Sequence, residues 1–224
     1  KESDDIHRWV SWMFENDPPR CIYGFGESYG AALILQSLAA EKRYCAIVAE
    51  SPFSTAHAMS YERVSGPLHL GPWFGYTLGR PVIWSAVLYA RLRYNVELLK
   101  PSPLEALTHS TIPVLLIHGE NDRNIAPVHS RILAAAAPDH VQLWLVPHAG
   151  HTMAWTAAHD EFEQRVLGWF SSHTVAQDKS GSFCWKALNE PFVPRNFQEE
   201  AWATGLFVEC LLARSKCSRA GRIG

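Results

Sequence analysis

The chain has 224 residues, a formal net charge of −2 and a pI near 6.6, so neither nucleic acid nor an anionic membrane surface is expected as a partner on electrostatic grounds. At 47% hydrophobic and 19% charged, it falls in the range of soluble globular chains and can build a core without a structural metal or disulfides. Its five cysteines (Cys21, Cys45, Cys184, Cys210 and Cys217) are odd in number and contain no CxxC pair, which argues against a disulfide framework or a zinc site. Cys21 and Cys45 lie in apolar runs and read as buried thiols, which favours a reducing, cytoplasmic compartment. No run of about 18 apolar residues suggests a transmembrane helix, and no signal peptide is visible.

Residues 3–16 predict an amphipathic helix, capped by Ser3, Asp4 and Asp5, with Ile6, Trp9, Val10 and Met13 on one face. Asp17-Pro18-Pro19 ends it. A buried strand follows over 20–25, then an alanine-rich helix over 30–38 and a second buried strand over 44–49. Residues 56–111 lack a clean period and carry several Gly-Pro turns among Trp73, Phe74, Tyr76, Trp84 and Tyr89. They predict an insertion of short helices and turns, a lid whose aromatic side chains suggest an apolar acyl or side-chain pocket. A third strand over 113–118, a helix over 127–137, a fourth strand over 141–146 and a helix over 157–172 complete the pattern. Strand and helix alternate four times, the signature of an α/β fold with a mostly parallel sheet and helices on both faces. Residues 174–224 differ in composition: Gly, Ser and Pro early, a helix over about 198–213, and a basic end that reads as an extension or disordered tail.

The sharpest local signal is Gly26-Glu27-Ser28-Tyr29-Gly30, a G-x-S-x-G between a buried strand and an apolar helix. A serine on such a strained turn stands clear of the sheet at a helix N-terminus, where the backbone N–H of Tyr29 can meet an oxyanion. A serine hydroxyl needs a base. His151 follows the fourth strand, and functional groups of an open parallel sheet gather at the carboxyl ends of its strands. His148 is its rival, but lies too near the strand end to swing over Ser28. The base needs an orienting acid. Asp122, just past the third strand, fits; Glu120 is a local rival and Glu50, after the second strand, a more distant one. The order Ser, Asp, His matches the nucleophile-elbow hydrolases, with 94 residues from Ser28 to Asp122 and 29 more to His151.

Gly24-Phe25-Gly26 resembles the start of a dinucleotide fingerprint. No phosphate loop with a trailing Lys accompanies it, and no HxxxH or CxxC spacing suggests a metal. No cofactor is therefore expected.

The stretches IYGFGESYGAALILQ (22–36), PVLLIHGENDRNIAPVHS (113–130) and LWLVPHAGHT (143–152) resemble the α/β-hydrolases, nearest to their prolyl-oligopeptidase-like and serine-aminopeptidase-like branch. The resemblance covers about residues 3–173, read as one partial α/β-hydrolase domain within 1–173. It implies Ser28 as nucleophile, Asp122 as acid, His151 as base and the Tyr29 backbone as one oxyanion donor. It also implies a small-molecule ester, thioester or peptide substrate. The histidine loop departs from the family's HGxGHT pattern, with His148 standing where glycine is frequent. The fold ordinarily carries about eight strands with the elbow after the fifth, and the second oxyanion donor on the loop after the third. Only one helix precedes the elbow here, so the sequence reads as a piece of a longer chain lacking the N-terminal strands. A partner that supplies those strands, or a degenerate, inactive scaffold, are the alternatives.

Overall fold

The computed structural model describes residues 2–16, 18–65, 77–95, 99–174 and 213–214. The expected tail helix, the expected tail disorder, and Trp73, Phe74 and Tyr76 of the expected lid lie outside them, as does Asp17.

The chain begins with α1 (Glu2–Asn16), then alternates β1 (Ile22–Glu27), α2 (Tyr29–Ser37) and β2 (Tyr44–Glu50). Three helices follow among the described residues: α3 (Ala56–Ser65), α4 (Arg80–Tyr94) and α5 (Pro103–Thr108). The alternation resumes with β3 (Val114–Gly119), α6 (Val128–Ala136), β4 (Val141–Val146), α7 (Ala154–Ala157) and α8 (His159–Ser172). A two-residue strand, β5 (Ala213–Arg214), completes the described chain. The sheet order is β4-β3-β2-β1-β5, with β1 to β4 parallel and β5 antiparallel to β1. Ala213, expected at the end of a helix, instead pairs with Tyr23 on the outer edge of β1.

Both faces of the sheet are covered, as period-2 alternation requires. Ile47 and Ala49 of β2 and Val114 and Leu116 of β3 join one core with Val10 of α1, Ile34 and Leu35 of α2 and Leu133 of α6. Their neighbours Ala46, Val48, Leu115 and Ile117 face the other core, built on Phe162, Val166, Trp169 and Phe170 of α8. There the Trp169 indole N–H donates to the Ile47 carbonyl over 3.1 Å.

Helix α1 departs from its expected details. It already runs at Glu2, so Asp4 and Asp5 sit in its first turn, where carboxylates suit the dipole, and not at a cap. Its inner stripe is Ile6, Val10, Met13 and Phe14, whereas Trp9 is 38% exposed. Fully buried Glu41 anchors the helix by accepting the His7 ring N–H over 3.0 Å, and Arg43, paired with Glu41, donates to Ser11 Oγ over 2.9 Å.

Cys21 and Cys45 are a disulfide, not free thiols, with Cα atoms 5.7 Å apart. The reason is the register: Ile22 lies beside Tyr44, so the two cysteines flank one rung of neighbouring strands at bridging distance. With these thiols joined, the cysteine content no longer favours a reducing compartment. No helix among the described residues is long and apolar enough to cross a membrane.

Within the insertion, α4 is longer than expected. Of its side chains only Ile83 is buried, while Val82, Trp84, Leu88, Tyr89 and Leu92 are exposed. A helix apolar on all sides shows no 3.6-residue period, so its residues carry no clear helical signal.

Candidate active site

Four successive strands of the sheet end at one rim, and each delivers one polar residue there. Ser28 follows β1 directly. Its φ of 53° and ψ of −116° hold it on a strained turn between β1 and α2. The turn closes because position 26 is glycine: a Cβ there would lie 2.6 Å from the Gly30 carbonyl oxygen. The Ser28 N–H donates to the Glu50 carbonyl over 2.8 Å, pinning the elbow to the end of β2.

Asp122 lies three residues past β3, its side chain fully buried. Four donors converge on its carboxylate. Oδ1 accepts the backbone N–H groups of Asn124 (2.8 Å) and Ile125 (3.0 Å). Oδ2 accepts His151 Nδ1–H at 2.7 Å and lies 3.3 Å from His118 Nε2. Burial alone would raise its pKa. The hydrogen bonds from His118, His151, Ile125 and Asn124 outweigh it and hold the carboxyl well below the usual carboxylate range.

His151 sits five residues past β4. Because the Asp122 carboxylate can only accept, Nδ1 carries the proton and Nε2 is left with its lone pair facing Ser28 Oγ–H, 2.8 Å away. The histidine ring is 19% exposed, so the relay opens towards solvent from a buried acid. The path of the loop depends on Gly119, the last residue of β3, where any Cβ would collide with the carbonyl oxygens of Ala149 and Gly150. His148 adopts φ 62°, a left-handed conformation. That is the backbone reason for a glycine preference at this position, and its side chain is exposed.

The structure therefore brings Ser28, Asp122 and His151 together. The rivals fall elsewhere. Glu120 is exposed, His148 takes no part in the relay, and Glu50 is 1% exposed with its Oε1 accepting the Ala154 N–H over 3.0 Å. Tyr29 is the first residue of α2; the residue is 39% exposed and its ring lies 6.3 Å from that of Phe53.

His118 escaped the sequence reading. It is a fully buried residue of β3 whose Nε2–H donates to the Ile125 carbonyl (2.9 Å) and faces Asp122, while Nδ1 accepts Ser130 Oγ–H (2.7 Å). Its signal was a polar ring inside an otherwise apolar strand. A second serine–histidine–carboxylate arrangement also exists. Ser54 Oγ lies 2.9 Å from His129 Nδ1, and His129 Nε2 lies 3.2 Å from Glu62. Ser54 is 3% exposed, so this set fastens α3 to α6 and offers no hydroxyl to a substrate. No group of three or more metal-ligating side chains occurs among the described residues.

Comparison with known proteins agrees with this fold. Solved structures similar in fold include an esterase of Pyrococcus furiosus, Pf2001, at 20% identity and a TM-score of 0.56, covering 76% of this chain and 61% of that one. An acylaminoacyl peptidase of Pyrococcus horikoshii matches at 16% identity and a TM-score of 0.53, over 80% of this chain and 29% of its own. A puromycin-hydrolyzing peptidase of Mycobacterium tuberculosis matches at 17% identity and a TM-score of 0.56, over 80% and 26%. The chain thus spans about three fifths of the esterase's length. No curated protein matches it significantly in sequence. The prolyl oligopeptidase family, Peptidase_S9, matches over residues 1–177. With its parallel sheet, its serine elbow and that match over most of its length, the chain belongs to the prolyl oligopeptidase family and has the α/β-hydrolase fold.

Proposed function

We propose that this chain carries the reacting groups of a serine hydrolase that cleaves a carboxylic ester, or a related acyl bond, through an acyl-enzyme on Ser28. The observation that carries the reading is the continuous Ser28–His151–Asp122 hydrogen-bonded relay, at 2.8 and 2.7 Å. In this reading Ser28 Oγ attacks the carbonyl carbon while His151 Nε2 takes its proton. Asp122 keeps the imidazole in the Nδ1–H tautomer and stabilises the imidazolium. The backbone N–H of Tyr29, at the positive end of α2, is one donor to the oxyanion. The imidazolium then protonates the leaving group, and water, deprotonated by the same histidine, releases the acid. The insertion of residues 56–111 acts as a lid, and the exposed apolar side chains of α4 suit an acyl chain better than a polar one.

A peptidase reading is favoured by the similarity to the acylaminoacyl and puromycin-hydrolyzing peptidases. The chemistry at Ser28 is the same in both readings and only the leaving group differs. The test is labelling of the chain by a fluorescent fluorophosphonate, with Ser28→Ala as control, followed by a screen of p-nitrophenyl esters against aminoacyl amides. Labelling that vanishes in the Ala variant, with ester turnover, is expected. Labelling that persists in it refutes the assignment of Ser28, and amide turnover without ester turnover moves the reading to a peptidase. A folded chain that never labels matches the inactive-scaffold alternative.

A further inference from the structure

Glu50 is an acidic residue at 1% exposure, and no step of the proposed reaction uses it. It closes β2, flanked in register by Glu27 of β1 and Ile117 of β3. Two of its groups make contacts that matter. Its main-chain carbonyl accepts the Ser28 N–H over 2.8 Å, and its Oε1 accepts the Ala154 N–H over 3.0 Å. Ser28 is the nucleophile of the proposed reaction, and Ala154 is the residue at which the loop bearing His151 re-enters helical structure as α7.

The His151 loop is held elsewhere too, by the bond of its ring to Asp122 over 2.7 Å and by Ala149, which is 1% exposed in the core under α8. It leaves β4, crosses the end of β3 where Gly119 gives it room, and comes down on β2. A backbone bond from Asn121 N–H to the Ala149 carbonyl (2.9 Å) holds its near side. Glu50 holds its far side, next to the elbow. We infer that Glu50 is a positioning residue that sets the Ser28–His151 distance, through the reach of its carboxyl oxygen to Ala154 and not through its charge. The inference rests on the serine-hydrolase reading.

The electrostatics distinguish reach from charge. Burial pushes the Glu50 pKa up to about 7. The Ala154 N–H draws it down, the charges of Glu27 and Asp122 add to the rise, and that of His151 opposes it. A large share of the molecules near neutral pH thus carries the proton. The carbonyl oxygen of a protonated carboxyl still accepts from Ala154, whereas a role that needed the negative charge would be lost in that share.

Two variants of the full chain separate the terms. Glu50→Gln keeps the length and an acceptor oxygen and removes the charge. Glu50→Asp keeps the charge and withdraws the oxygen by one methylene. The readouts are the second-order rate of fluorophosphonate labelling, kcat and KM on a p-nitrophenyl ester, and the downfield NMR resonance of the His151 Nδ1 proton. The Gln variant is expected within about threefold of the parent chain. The Asp variant is expected to fall at least about 10-fold in labelling and kcat with KM unchanged, since ångström-scale misplacement of reacting groups costs up to about 10²-fold. Glu50→Met, which suits the buried site and lacks an acceptor, takes the place of the Asp variant if that one does not fold, with the same expected loss. An Asp or Met variant as fast as the parent, or a Gln variant as slow as either, overturns the inference. A folded parent chain that does not label, or labels equally as Ser28→Ala, overturns the serine-hydrolase reading and this inference with it.

Discussion

Replacing Asp122 by Asn is the most demanding perturbation of the relay, because the surroundings fix how the amide must sit. Oδ1 faces two backbone N–H groups, those of Asn124 and Ile125, which can only donate. The amide oxygen of Asn must take that side, and its NH2 group then faces His151 Nδ1 and His118 Nε2. A donor now meets His151 Nδ1–H. The imidazole escapes the clash only by moving its proton to Nε2, where it points at Ser28 and can no longer accept. The same tautomer error in the serine-protease triad costs about 10⁴ in kcat, close to 5.5 kcal/mol. The expected result is a fall of that order in kcat on a p-nitrophenyl ester near pH 7, with KM little changed and the fold retained. Stability carries its own sign. A carboxyl whose folded pKa lies below its unfolded value stabilises the protein above the unfolded pKa and loses that contribution as pH falls through the folded one. Asp122 is of this kind. The Asn variant should therefore unfold at lower urea concentration than the parent near pH 7, and the gap should narrow in strong acid. A kcat within tenfold of the parent would refute the tautomer argument.

Two further outcomes follow from the buried groups. Glu50 has its folded pKa raised from an ordinary 4.5 to about 7, so its contribution to stability is fully present below pH 4.5 and is lost as pH rises through about 7. The loss is about 3 kcal/mol, and urea titrations at several pH values should show it in the parent chain and not in Glu50→Gln. The Cys21–Cys45 bridge closes a loop with a sequence separation of 24, worth about 3.5 kcal/mol in the chain-entropy account. Replacing both cysteines by Ser should lower the unfolding free energy by about that amount, and thiol titration of the denatured parent chain should find these two sulfurs unreactive.

What the sequence disclosed and what it hid have separate physical causes. The four parallel strands were legible because each is a short apolar run bounded by turn residues. Their ends were legible because catalytic side chains of such a sheet must lie there. Position and order alone point to Ser28, Asp122 and His151, and only the structure supplies their distances. The disulfide was hidden because its two cysteines are 24 residues apart and meet only through the pairing of β1 with β2. Helix α4 was hidden because exposed apolar residues lie on all its sides. His118 was hidden for another reason: a buried imidazole in a strand declares itself only once Ser130, Ile125 and Asp122 are seen around it. Glu50 stands in the sequence as a carboxylate at the right rim, a rival to Asp122 as the acid. Only the hydrogen bond to Ala154 shows that it faces the loop of the base and not its ring.

The lengths of the connections follow from the geometry of the sheet. Ser28 comes one residue after β1, Glu50 is the last residue of β2, Asp122 comes three after β3 and His151 five after β4. Neighbouring strands stand about 4.8 Å apart, so β4 lies roughly 14 Å from β1, and a base leaving β4 must travel back over two strand ends to reach the serine. A short turn cannot cover that distance, which is why His148, only two residues past β4, stays outside the relay. The loop that does cover it bends at left-handed His148 and Thr152, needs an absent Cβ at Gly119, and needs an acceptor at its landing point on β2. That acceptor is buried, and Glu50, one strand away from the elbow, meets both neighbours: its main-chain carbonyl takes the Ser28 N–H and its carboxyl takes the Ala154 N–H. The buried glutamate, costly as an ion near neutral pH, is thus where the route of the His151 loop requires a polar group.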